Sequence, residues 1–200
     1  MLLAQVKDIF VESGKVMEYI ASDQFSNINE NNELAKIDSI FSFALLQADS
    51  NISDALLFAA IGTIPYVEFP VEIPIFNIRI RILIFNKIDY LIFNKKMKNL
   101  PAKLFEDSPI GEFGDKDKLT HFFISAFLAY SLTEKISLGL GKFVEAFEND
   151  FKIDGKEDER DLKMNYLGVE FGNRLKDKLI FPSEILTKYK TLSYGKNINN

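Results

Sequence analysis

Asp117 and the chain's single histidine, His121, stand four residues apart in the run Asp117-Lys118-Leu119-Thr120-His121-Phe122-Phe123. Downstream come Glu145 and Glu148, then Asp161 and Asn165, then Gly168 and Gly172. On helices, spacings of three and four place such groups on one face. One imidazole with several carboxylates suits a divalent ion that prefers oxygen ligands, and the ion could activate water for hydrolysis with Glu148 as base. The same six polar groups, Asp117, His121, Glu145, Glu148, Asp161 and Asn165, could instead satisfy one another as a buried network that fixes helix register. A single histidine without a second strong ligand motif weights the choice toward the network. Ser125 shares the helical face of His121, but no nucleophile elbow or oxyanion loop accompanies it, so no catalytic residue is assigned.

A second pattern overlaps the first. From Asp150, carboxylates at Asp150, Asp154, Asp158 and Asp161 fall at loop positions 1, 5, 9 and 12, with Gly155 at 6, as in an EF-hand. Lys152 puts a cation at position 3, where a ligand belongs, and Asp161 would have to serve two sites. A solvated acidic loop with Asp158 near the next helix N-cap is the plainer expectation.

Composition narrows the classes. Hydrophobic residues make up 47% and charged residues 26%, the balance of a folded domain with a substantial core. With 19 Phe and no Trp, that core should be phenylalanine-rich, because Phe buries a large area without needing a polar partner. A net charge of -5 and no Lys/Arg stripe argue against non-specific nucleic-acid binding. The chain has no cysteine, which excludes disulfides, thiolate metal sites and a Cys nucleophile. The start, MLLAQVKDIFVESGK, lacks the basic region and long apolar run of a signal peptide.

The elements that must position these residues follow from periodicity. Residues 2–21 and Leu34–Ala48 carry helical spacing, with a loop over Asp23–Glu33. Asn51 caps a short helix through Ile61 that Gly62 should end. Pro65, Pro70 and Pro74 then punctuate extended chain, and Phe76–Phe85 alternates with period two. The pentapeptide LIFNK occurs at 83–87 and again at 91–95, and Asn86-Lys87 is expected to turn the first strand onto a second, Ile88–Phe93. Arg79 and Arg81 fit a solvated strand face better than an anion site. Lys95–Gly114 reads as a polar connection, followed by helices near 116–133, 136–149 and 158–176. Leu119–Gly141 has spanning length, but His121, Glu134 and Lys135 interrupt it, so a buried helical hairpin is expected. The two glycines at 168 and 172, each costing about 1 kcal/mol of helix propensity, imply close helix–helix approach.

The Asp-Lys-x-x-His-Phe start, the acidic pair Glu145-Ala146-Phe147-Glu148, and Asp161-x-x-x-Asn165-x-x-Gly168-x-x-x-Gly172 resemble the VanZ-like group of helical envelope proteins and related small periplasmic lipoproteins of unknown function. The likeness covers about residues 115–175. It implies cell-envelope association and contact with other envelope proteins, peripheral membrane contact included. It implies no reaction. The expected fold is α+β: N-terminal helices and a central antiparallel β-hairpin or small sheet over 1–100, a helical bundle over 115–180, and a polar tail over 181–200. The leading functional expectation is a non-catalytic envelope-associated assembly protein with no cofactor. The competing ones are a metal-dependent hydrolase and a calcium-stabilised interaction module.

Overall fold

The computed structural model describes residues 2–28, 32–73, 78–83, 90–111, 113–131 and 159–188, with the backbone alone for 2–8 and for the two strands. Glu145, Glu148, Asp150, Asp154 and Asp158 lie outside the described residues, and so do the expected helix 136–149 and the turn at Asn86-Lys87.

Helix α1 spans Leu2–Ile20, α2 Asp23–Ser26, α3 Glu33–Gln47 and α4 Ile52–Thr63. Side-chain caps start them where the sequence places polar residues. Asn32 accepts from the Ala35 N–H and Asn51 from the Asp54 N–H, each satisfying one of the free donors of a first turn. The expected loop after Asp23 contains a helical turn, because Ser22 caps it and Phe25 is wholly buried. Helix α4 is apolar nearly all round and is accordingly central, packed on α1, α3 and the later helix α6. It runs past Gly62 to Thr63, so Gly62 is a spacer and not a terminator. A Cβ there would lie 2.7 Å from the Val16 side chain, so the bare backbone lets α1 approach. The helix stops at Ile64, ahead of Pro65.

Strands β1 (Glu68–Ile73) and β2 (Ile78–Leu83) pair antiparallel, with Glu68 opposite Leu83 and Ile73 opposite Ile78. Of the expected partner of β2, Ile88–Phe93, the described part, from Tyr90 on, is not a strand but the start of helix α5, Tyr90–Asn99. Both strands of a two-stranded ribbon are edges, which is why Pro70 is tolerated in β1. Two short strands supply no layer for a core. The α+β class is therefore corrected to a helical fold, with the ribbon as an appendage.

Helix α6 spans Lys118–Ser131 and α7 Glu159–Leu175, and a short helix covers residues 182–188. One core joins these to the N-terminal helices. Phe171 of α7 stacks on Phe122 of α6 at 5.3 Å between ring centroids and meets Phe41 of α3 edge-on at 5.2 Å. The described start of the polar tail expected from residue 181 contributes to this core: Ile185 and Leu186 are buried, as is Ile180 just ahead of it, and the Ser183 N–H donates to Asp38 on α3 at 2.8 Å. The expected linker Lys95–Gly114 is likewise held down. Leu100 and Leu104 are buried, and the wholly buried Asp115 carboxylate accepts from the Leu104 N–H and the Ser108 hydroxyl and faces Arg160 of α7 at 3.4 Å.

No helix among the described residues is long and apolar enough to cross a membrane. In the described part of Leu119–Gly141, the segment of spanning length expected as a buried helical hairpin, Leu119, Phe122, Phe123 and Ala126 are buried against protein, so a spanning role for it is set aside.

Lys96 of α5 is fully buried, donates to the Ile64 carbonyl at the end of α4, and lies 4.7 Å from the Phe93 ring centroid. Burial pushes its pKa down to about 7 from 10.5. Below about pH 7 the folded and unfolded chains both hold the proton, and the burial cost is fully present. Between about 7 and 10.5 only the unfolded chain still holds it, so stability rises with pH by about 1.4 kcal/mol per unit. Urea unfolding of the parent chain should therefore show stability climbing from pH 7.5 to 9.5, with that slope abolished in Lys96→Met; parallel pH profiles for the two would contradict it.

Candidate metal centre between two parallel helices

The helices α6 and α7 lie side by side, and the contacts advance in the same direction along both. His121 meets Asp161 and Asn165, Phe122 and Ser125 meet Gly168, and Ala126 meets Gly172. The helices are therefore parallel. By contrast α4 runs antiparallel to α6, pairing the Thr63 and Thr120 hydroxyls at one end and the Ser53 and Ser131 hydroxyls, 2.6 Å apart, at the other. Parallel alignment puts the positive dipole ends of α6 and α7 together, where carboxylates are favoured. Asp117 sits there, its carbonyl accepting the first backbone bonds of α6 from Thr120 and His121, and Asp161 lies in the first turn of α7.

The two glycines set the spacing. A Cβ on Gly168 would sit 2.2 Å from the Phe122 carbonyl oxygen, and one on Gly172 would sit 2.2 Å from that of Ala126. Only bare backbone allows this approach, and it brings short polar side chains of the two helices within reach of each other.

At the open end of the pair, Lys118 extends its ammonium between the two acids, 2.9 Å from Asp117 Oδ2 and 2.6 Å from Asp161 Oδ1. Lys118 is 4% exposed. Burial disfavours its charge, but the bonds to Asp161 and Asp117 outweigh that and raise its pKa above the ordinary lysine range. His121, also 4% exposed, contacts Asn165 Oδ1 through Nδ1 at 3.2 Å, and the Ser125 hydroxyl donates to the same oxygen at 3.0 Å. An amide oxygen only accepts, so Nδ1 carries the ring proton. In the neutral ring Nε2 then turns a lone pair toward Asp161 Oδ1, 3.4 Å away. Burial lowers the His121 pKa from its ordinary value, against the pull of Asp161 and Asp117, and so favours that neutral ring. Asp117 Oδ1 is buried with no hydrogen-bond donor among the described residues.

Ligand atoms of Asp117, His121 and Asp161 fall within 4.8 Å of one another. Two carboxylates, one ammonium and a neutral imidazole sum to one negative charge. A proton on Nε2 or a cation among the three acceptors would offset it. Tyr66, following α4, stands at this cluster: burial and the Asp117 carboxylate, with a smaller push from Asp161, raise its pKa above the usual tyrosine value, and its ring lies 6.1 Å from that of Phe113.

Of the residues singled out from spacing, Asp117, His121, Asp161 and Asn165 meet at one place, and Gly168 and Gly172 lie in the helix contact beside it. Asp161, the twelfth position of the EF-hand pattern, faces Lys118 and His121. Ser125 directs its hydroxyl to Asn165, so it is no nucleophile activated by His121. Lys118 and Tyr66 were not anticipated. Lys118 could have been found, since it shares the three- and four-residue stripe of His121, Phe122 and Ser125 on an apolar helix. Tyr66 gave no signal, as only the fold brings it near.

Gly168→Ala or Gly172→Ala should destabilise the chain by about 1–3 kcal/mol by overpacking. Gly14→Ala, in α1 with nothing within 4 Å of the added Cβ, should stabilise it by roughly 0.5–1 kcal/mol. Urea denaturation of the three variants decides, and equal effects at all three sites would refute the close approach. No family model, curated protein or solved structure matches the chain, so nothing in these comparisons supports the expected VanZ-like resemblance or the envelope role it implied.

Proposed function

We propose that the α6–α7 pair forms a divalent-cation site, with Asp117 Oδ1, His121 Nε2 and Asp161 Oδ1 as its ligands. The supporting observation is the 3.4 Å approach of Nε2 to Asp161 Oδ1 with the ring proton committed to Asn165 on the other side. Two acceptors aimed at each other repel unless a positive species lies between them, and Asn165 would hold the ligating ring in its tautomer, as outer partners of ligating histidines commonly do. One nitrogen and carboxylate oxygens suit Zn2+ or Mn2+ better than Ca2+. Both ligating helices belong to the shared core, so the ion would brace the α6–α7 contact from its polar end.

A second function is favoured by Lys118. An ammonium already bound to both acids can make the cluster self-sufficient, as a structural network in a non-catalytic assembly protein. That alternative needs a proton on Nε2 and no metal.

The full chain, stripped with chelator and titrated with Zn2+ and with Mn2+ by calorimetry, should bind one equivalent of at least one of them and melt at higher temperature when loaded. Asp161→Asn and His121→Ala should each abolish that equivalent while keeping the helical circular dichroism spectrum. Absence of stoichiometric binding in the parent chain would leave the structural network as the function of the cluster.

A further inference from the structure

The cation site carries its own competitor. We propose that Lys118 is an internal counter-cation that sets the affinity of the site, being displaced from Asp161 when a divalent ion enters; this inference rests on the cation site proposed above. The two acids treat the ammonium differently. Asp117 divides its oxygens, giving Oδ2 to Lys118 at 2.9 Å and leaving Oδ1 for another partner. Asp161 does not: the same Oδ1 lies 2.6 Å from the Lys118 nitrogen and 3.4 Å from His121 Nε2. An ion bound to that oxygen and to the imidazole would stand within about 4–5 Å of the ammonium, where like charges repel strongly in a buried setting.

The flanking geometry leaves Lys118 an alternative and the acids none. Lys118 opens α6, so its flexible four-carbon stem can swing past the helix end toward solvent. Asp117 and Asp161 are fixed at the adjoining N-termini of α6 and α7, and the glycine contact holds those helices together. Without an ion the ammonium keeps the carboxylates apart from bare mutual repulsion. With one, the ammonium leaves. The resident lysine thus sets a threshold, admitting only ions whose bonds to nitrogen and oxygen exceed what the ammonium loses.

Calorimetric titration of the full chain with Zn2+ and Mn2+ tests this on Lys118→Met and, should that variant fold poorly, on Lys118→Gln. Removing the competitor should tighten binding at least about tenfold at unchanged stoichiometry. In the parent chain, saturation with whichever of the two ions binds should raise acylation of Lys118 by an amine-reactive ester several-fold, read by peptide mass spectrometry. Equal or weaker affinity in both variants, or unchanged labelling of Lys118, overturns the competitor role while the cation site stands. If neither parent nor variants bind either ion, both fall.

Discussion

Backbone-to-backbone contact between two parallel helices is the constraint from which the polar site follows. Gly168 and Gly172 bring α7 within reach of the α6 carbonyls, closer than side chains elsewhere permit. Close packing alone would be an apolar matter, as the Phe122–Phe171 stack is. Parallel packing adds a second consequence, because it aligns the helix dipoles and leaves both positive ends facing the same small volume. Acids gathered there are partly paid for by the backbone. Asp117 and Asp161 occupy those positions, one on each helix.

Part of the remaining charge is met, and the imidazole is oriented, by groups that depend on the same contact. Lys118 reaches both acids only because their helices start side by side, and Asn165 orients His121 only because the glycine contacts fix the register of α7 on α6. The loop ahead of α6 is fixed just as firmly. The buried Asp115 gathers Leu104, Ser108 and Arg160 of α7, so the start of α6 is tied to α7 by charge outside the site as well as inside it. Gly114, at φ 52, has its Cα face against the Ala102 carbonyl, a conformation and a clearance that only glycine meets at low cost. Burial tolerates these ionic groups because each sits at a helix end with several partners.

Local signals located most of the helices. Caps at Asn32 and Asn51 begin α3 and α4, and the stripe Asp161, Asn165, Gly168, Gly172 predicted both the course of α7 and its glycine-lined face. Where the period was ambiguous, the sequence misled. LIFNK at 91–95 lies in α5, whereas the Leu83 that opens its earlier copy ends a strand. Five identical residues carry no information that could separate these outcomes; what separates them is that Lys96 and Asn99, a turn further on, find the Ile64 and Ile20 carbonyls. The expected hairpin failed for that reason, and with it the α+β class.

The sequence by itself determined which groups are available: one imidazole, acids at helical spacing, and glycines where two helices could touch. Those follow from composition and from the 3.6-residue period, which are properties of the chain alone. That α6 and α7 run parallel, that Tyr66 belongs to the cluster, and that Gly62 spaces α1 from α4 and does not end a helix, were decided only in three dimensions. Helix direction and the distance between helix axes depend on contacts among residues remote in sequence, and no local pattern encodes them.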